Sequence, residues 1–167
     1  MLRRTVRAIG RGGATGQRRY GGVVPSDRSA WTTRPDFSRH SILIVDDEPD
    51  GREFLAQVLE DCGATVARAD DIAAAKDYVS SSKFDLIVTD LALPGEDGAE
   101  FLRWLRKQPR DRGGATLAVT VTAFHEDYPP ANVSGWAAYF QKPIEIQQFV
   151  TTIADILRVP RGDAGSH

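Results

Sequence analysis

An α/β fold, a parallel sheet doubly wound by helices, is what this chain predicts, and three observations carry the prediction. Short continuous apolar runs alternate with segments of helical periodicity, as strands buried on both faces require. From residue 41 onward that alternation repeats five times. Several of the apolar runs end on a carboxylate or a hydroxyl, where open sheets of this class place their chemistry. Strands of this kind need helices on both sides, and right-handed crossovers supply them.

The first strand is read at 42–45, where Ile42-Leu43-Ile44-Val45 runs straight into Asp46-Asp47-Glu48. A helix follows at about 49–61, because Phe54, Leu55, Val58, Leu59 and Cys62 recur at helical spacing and Gly63 ends the pattern as a C-cap would. Strand 65–69 leads to an alanine-rich helix at about 71–80. The third strand, 84–89, contains Leu86-Ile87-Val88 and delivers Asp90, followed by Pro94 and the turn pair Asp97-Gly98. Helix 98–107 turns Phe101, Leu102 and Leu105 inward; Pro109 and Gly113-Gly114 break it. Strand 117–121 runs into Thr122-Ala123. After an irregular stretch, the short aromatic strand 138–141 precedes Lys142-Pro143. The closing helix, about 145–158, is marked by Ile146, Phe149, Val150, Ile153 and Leu157.

With 167 residues, 41% of them hydrophobic and 26% charged, the chain can build one well-buried domain. That domain is placed at 41–158, with a flexible tail at 159–167. Residues 1–40 form a basic, glycine-rich extension expected to be mostly disordered. They hold nine arginines against two aspartates, whereas residues 41–167 hold twelve lysines and arginines against twenty-one acids. An acidic body argues against a nucleic-acid surface there, so direct DNA binding is not expected. In the extension, Leu2, Val6 and Ile9 follow helical spacing while Arg4, Arg7 and Arg11 take the opposite side. A short amphipathic helix on a membrane or other anionic surface fits that pattern, and targeting sequences share it. A plain unstructured extension, or a start codon placed too far upstream, fits as well. The single cysteine, Cys62, excludes an intrachain disulfide and reads as a small buried apolar group in a reducing cytoplasm. No apolar stretch approaches the length of a membrane span.

If the strands are neighbours, Asp46, Asp47, Asp90, Thr122 and Lys142 converge on one edge. Adjacent acids after the first strand, with Asp90 after the third, supply the hard oxygen ligands that Mg²⁺ accepts. Without a cation the three carboxylates repel one another. With one, Asp90 can attack a phosphoryl group while Lys142 and Thr122 hold its oxygens.

The segments Val45-Asp46-Asp47-Glu48-Pro49, Thr89-Asp90 with Pro94 and Asp97-Gly98, Val121-Thr122-Ala123 and Tyr139-Phe140-Gln141-Lys142-Pro143 together resemble the receiver domain of two-component response regulators. The resemblance covers about 41–158. It implies a flavodoxin-like five-stranded sheet, (βα)5, in strand order 2-1-3-4-5. It also implies that Asp90 is the phosphoacceptor, loaded by a sensor histidine kinase or a histidine phosphotransfer protein. Asp47 would then ligate Mg²⁺ directly and Asp46 through water, with the backbone carbonyl of Ala92 adding a ligand. Lys142, Thr122 and Ala123 would hold the phosphoryl group. Thr122 and Tyr139 would form the switch that a downstream protein target reads, although an aromatic in the last strand also serves as plain core.

Two departures from the family pattern stand out. The chain between Thr122 and Lys142 is about two residues short and carries Pro129-Pro130, so the fourth helix should be short or irregular. Ala92 and Phe124 flank the pocket with apolar groups that cannot orient a hydrolytic water, which predicts slow self-dephosphorylation. His125 is expected to face solvent in a loop, and the run Arg103-Trp104-Leu105-Arg106-Lys107 to be an exposed helix side or a protein-docking patch. Ten residues follow Leu157, too few for an effector enzyme or DNA-binding domain, so action through protein contacts is expected. Two other readings compete. An aspartate-nucleophile, Mg²⁺-dependent phosphohydrolase would need a second acid where Ala92 stands, and a phosphorylation-independent pseudo-receiver would not need so complete a pocket.

Overall fold

The computed structural model describes residues 34–123 and 135–159. Within them lie five strands, β1 (Ser41–Val45), β2 (Thr65–Ala69), β3 (Leu86–Thr89), β4 (Leu117–Thr122) and β5 (Ala138–Gln141), and four α-helices, α1 (Pro49–Asp61), α2 (Ile72–Ser81), α3 (Gly98–Arg106) and α4 (Ile146–Leu157). The strands form one sheet in the order β2-β1-β3-β4-β5. All four pairings are parallel. This is the doubly wound architecture and the strand order expected.

Local chemistry sets the element ends. Pro49 opens α1, where its missing N–H costs nothing and its fixed φ already suits a helix. Helix α2 starts at Ile72 rather than 71 because Asp71 is its N-cap, accepting the Ala74 N–H at 2.8 Å. In the same way Asp97 caps α3 through the Glu100 N–H, and Glu145 stays outside α4 by accepting the Gln148 N–H. Strand β3 begins at Leu86, two residues later than the apolar pattern suggests. Asp85 instead turns its carboxylate to the Ser41 N–H at 2.8 Å.

Side chains alternate across the sheet, and each face has its own core. On one face Ile42, Ile44, Leu86, Val88, Val119 and Val121 meet Leu55, Val58 and Leu59 of α1 and Phe149, Val150 and Ile153 of α4. On the other, Leu43, Val45, Ile87 and Ala118 meet Ile72, Ala75 and Val79 of α2 and Phe101, Leu102 and Leu105 of α3. Phe140 packs edge-on against Phe149 with ring centroids 4.9 Å apart. This double cover is why β1 and β3 are apolar at nearly every position.

The packed body reaches further toward the amino terminus than residue 41. Phe37 is 0% exposed within the α1/α4 core, its N–H donates to the Cys62 carbonyl at 2.7 Å, and the Thr65 N–H donates to the His40 carbonyl at 3.0 Å. Arg34 donates to the Asp61 carbonyl at the end of α1. Residues 34–40, placed by composition in the extension, are therefore docked onto the sheet. Cys62 is buried, as expected, and burial pushes its thiol up against a smaller opposing pull from Arg34. The amphipathic segment at Leu2 to Arg11, the irregular fourth helix around Pro129-Pro130, Phe124, His125 and the tail from 160 lie outside the described residues. Among the described residues no helix is long and apolar enough to cross a membrane.

Candidate functional site

The carboxyl ends of β1 and β3 place two acids side by side. The ladder continues one residue past each strand: the Asp46 N–H donates to the Ala69 carbonyl and the Asp90 N–H to the Val45 carbonyl, both at 3.1 Å. Both side chains are buried, at 3% and 6% exposure. Each carboxylate accepts an N–H from two residues downstream, Asp46 Oδ1 from Glu48 at 2.9 Å and Asp90 Oδ1 from Ala92 at 3.0 Å. Such short-range bonds hold each carboxylate at its strand end.

Lys142 arrives from the far side of the sheet. Its N–H donates to the Thr122 carbonyl at 3.0 Å, carrying the β4–β5 pairing past Gln141, and the Lys142–Pro143 peptide bond is cis. From there Nζ reaches Asp90 Oδ2 at 2.9 Å and Asp46 Oδ2 at 3.4 Å. One ammonium therefore serves two buried carboxylates. Burial foremost pushes the Asp46 carboxyl above its ordinary value, and the neighbouring charge of Asp90 adds to this; Lys142 and the Glu48 N–H pull the other way without offsetting it.

Asp47 stands exposed at the mouth, and it offers an oxygen within 4.8 Å of one from each of Asp46 and Asp90. Three carboxylates against one ammonium leave the cluster short of positive charge. Its donors are all hard oxygens, the set that divalent cations such as Mg²⁺ take. The residues present thus fit a metal ion, and the acidic cluster is one that can bind it.

The other expected residues sit around this edge. Thr122 ends β4, fully buried, in register with Gln141, and exposed Ala123 follows it. Thr120 and Tyr139 are direct partners across β4 and β5, so Thr120, Thr122 and Tyr139 share the sheet face that carries α2 and α3. Tyr139 is half-buried, and burial pushes its hydroxyl up.

Three supporting contacts were not foreseen. Arg52 on α1 donates from Nη1 to the Asp46 carbonyl at 2.9 Å, and Thr89 Oγ1 donates to the Asp90 carbonyl at 3.0 Å. The third is Gly98. A Cβ built there would lie 2.4 Å from the Asp90 carbonyl oxygen and 3.1 Å from the Leu91 Cα, so only glycine lets the first turn of α3 press against the chain bearing Asp90. The pair Asp97-Gly98 was legible as a turn; a capped helix start packed against Asp90 was not.

Comparison with known proteins agrees with this geometry. The family model described as response regulator receiver domain matches residues 42–154. The polar-differentiation response regulator DivK of Brucella anthropi is 31% identical over 124 residues, 74% of this chain and 98% of its own length. A putative response regulator from Chloroflexus aurantiacus J-10-fl has a similar solved structure, with a TM-score of 0.65 and 30% identity over 71% of this chain and 98% of that one. The response regulator TrrA from Thermotoga maritima, solved in complex with Mg(2+)-BeF, gives a TM-score of 0.62 at 25% identity over 70% and 98% of the two chains. With its sheet order, its edge of buried acids and the family match over most of its length, the chain belongs to the response regulator receiver domains of two-component systems.

Proposed function

We propose that Asp90 accepts a phosphoryl group from the phosphohistidine of a sensor histidine kinase or a histidine phosphotransfer protein, and that a downstream protein target reads the change. The observation that carries this is the 2.9 Å contact between Lys142 Nζ and Asp90 Oδ2 at the buried strand edge. An Asp90 oxygen attacks phosphorus, the phosphorus–nitrogen bond to histidine breaks, and the imidazole leaves with its electron pair. Lys142, already beside that carboxylate, passes to the incoming phosphoryl oxygens as a mobile point charge. Thr122 and the Ala123 backbone at the end of β4 hold the remaining oxygens.

Asp46, Asp47 and Asp90, with the Ala92 carbonyl, would hold Mg²⁺, which supplies positive charge against the phosphoryl oxygens when bound. The Mg(2+)-BeF complex of TrrA supports that assignment. Thr122 and Tyr139, on one face of the sheet, then act as the switch: the hydroxyl moves toward the phosphoryl group and the ring follows inward. The protein acts as an acceptor and signalling element in the cytoplasm rather than as a turnover enzyme. A phosphohydrolase would need an acid at position 92, where alanine stands.

Intact-protein mass after incubation with acetyl phosphate tests this, using wild type and Asp90→Ala with Mg²⁺ and with chelator. One phosphoryl adduct, on wild type and only with Mg²⁺, is the expected result. An adduct that persists on Asp90→Ala would overturn it, as would no adduct from acetyl phosphate and from phosphorylated phosphotransfer proteins alike. With apolar Ala92 and Phe124 two positions after Asp90 and Thr122 in the sequence, the adduct should outlast minutes; a half-life of seconds would count against that reading.

A further inference from the structure

The amino ends of β3 and β4, opposite the acidic edge, frame a cleft of about 320 Å³ between the end of α2 and the loop that follows α3. Val79, Phe84, Ile87 and Leu117 give it apolar lining, and Lys83 and Arg110 stand on its two sides. Among the described residues the two exposed large hydrophobic side chains are Leu117, at 39%, and Tyr78, at 36%. Leu117 lines this cleft, and Tyr78 packs edge-on against its Phe84 at 6.3 Å between ring centroids. Basic residues crowd the helix and loop beside it, a basic stripe along the chain. Arg103, Arg106, Lys107, Arg110 and Arg112 are all exposed, with Asp111 the one acid among them, on a body whose charge is otherwise acidic. Arg106 ties the stripe to the loop by donating to the Gly114 carbonyl at 3.1 Å.

We infer that this cleft and stripe form a docking surface for an acidic protein segment that inserts an aromatic or aliphatic side chain. Apolar lining gives the anchor a place to leave water, and the row of cations supplies complementary charge beside it. The basic amino-terminal arm of this chain is a poor occupant, because residues 1–33 carry seven arginines and one aspartate and would meet like charge. A nucleic acid is disfavoured too, since an apolar pocket offers nothing to a phosphodiester backbone, and Asp85 at the rim is already engaged by the Ser41 N–H. Because the cleft is at the amino ends of the strands, a partner seated there leaves the mouth around Asp47 and Asp90 open. Docking at this surface does not depend on phosphorylation.

Fluorescence anisotropy of the full chain tests it, with a labelled short peptide of glutamates around a central tryptophan. Arg103→Glu combined with Arg110→Glu should weaken binding at least about tenfold and flatten its salt dependence. Leu117→Ser, and separately Lys83→Glu on the other side, should each weaken it about threefold, with melting curves showing that both variants fold. Absence of binding, or binding unchanged in all these variants as capture by the arm would give, overturns the proposal. Single-stranded RNA that binds in competition with the peptide and is lost with Leu117→Ser would replace the acidic partner by a nucleic acid and overturn it as well.

Discussion

Among the described residues five polar or charged side chains are buried along the carboxyl half of the sheet, Asp46, Thr89, Asp90, Thr120 and Thr122, while the amino ends of β1 and β2 are closed by Phe37 and Ala64. At the amino end backbone groups satisfy one another over an apolar plug, as Phe37 does with Cys62 and Thr65 with His40. At the carboxyl end two buried carboxylates compete for one ammonium. Burying charge costs several kcal/mol per ion before any pairing offsets it, so that edge opposes folding while it prepares chemistry. The difference teaches where each property of the molecule is built: stability at one end of the strands, and at the other the acidic edge on which the proposed reactivity rests.

Breaking the closed end should have the largest effect. Phe37→Ala empties a fully buried site and should lower unfolding free energy by about 3–5 kcal/mol, measured by urea denaturation, while the folded fraction still takes up the Asp90 adduct. A loss below about 1 kcal/mol would mean that Phe37 merely rests on the sheet, and the division between the two ends would fail.

How far the sequence shows this division differs between the ends. The open edge was legible because its parts sit where apolar runs stop: a strand such as Leu86 to Val88 identifies itself, and the residue that follows inherits a location. Asp46, Asp90, Thr122 and Lys142 were all placed in this way, and the structure brings them together. Phe37 was not legible, since a lone aromatic among Arg34, Pro35, Asp36 and Ser38 has no periodicity to reveal the Cys62 carbonyl it reaches. Gly98 was hidden for a related reason. Its requirement comes from the Asp90 carbonyl eight residues earlier, which no local pattern contains.

Gly98→Ala carries the comparison to the reactive end. A methyl group 2.4 Å from the Asp90 carbonyl forces backbone apart, and stability should fall by about 1–3 kcal/mol. Unlike Phe37→Ala, it should also slow uptake from acetyl phosphate, because the displaced chain is the one that carries Asp90, the proposed acceptor. Unchanged uptake in a destabilised protein would show that the reactive geometry tolerates movement of α3.

A smaller effect should appear in the pH dependence of metal-free protein. Burial raises the Asp46 carboxyl above its ordinary value of 3.8, so between that value and the raised one the folded state binds more protons than the unfolded chain. Stability should therefore fall as pH rises through this window, and the full cost is present above it. Asp46→Asn should flatten the slope in urea midpoints taken across the acid range. A slope retained in that variant would assign the effect to other acids of the edge.

The finest division lies within the carboxyl edge itself, between polar groups that have partners and one that does not. Thr89 donates to the Asp90 carbonyl, whereas Thr120, fully buried and opposite Tyr139, has a hydroxyl with no hydrogen-bond partner among the described residues. Valine has nearly the same shape and makes no such demand, so Thr120→Val should raise stability by about 1 kcal/mol through relief of an unsatisfied group. Uptake at Asp90 should not change, because Lys142, Asp46 and Thr122 are untouched. If the variant is instead less stable, the hydroxyl has a partner in solution, and every polar group of the edge is then committed. If stability rises but binding of the downstream target to the phosphorylated form is lost, the cost of the lone hydroxyl is tied to the switch, where it would meet Tyr139 as the ring moves inward.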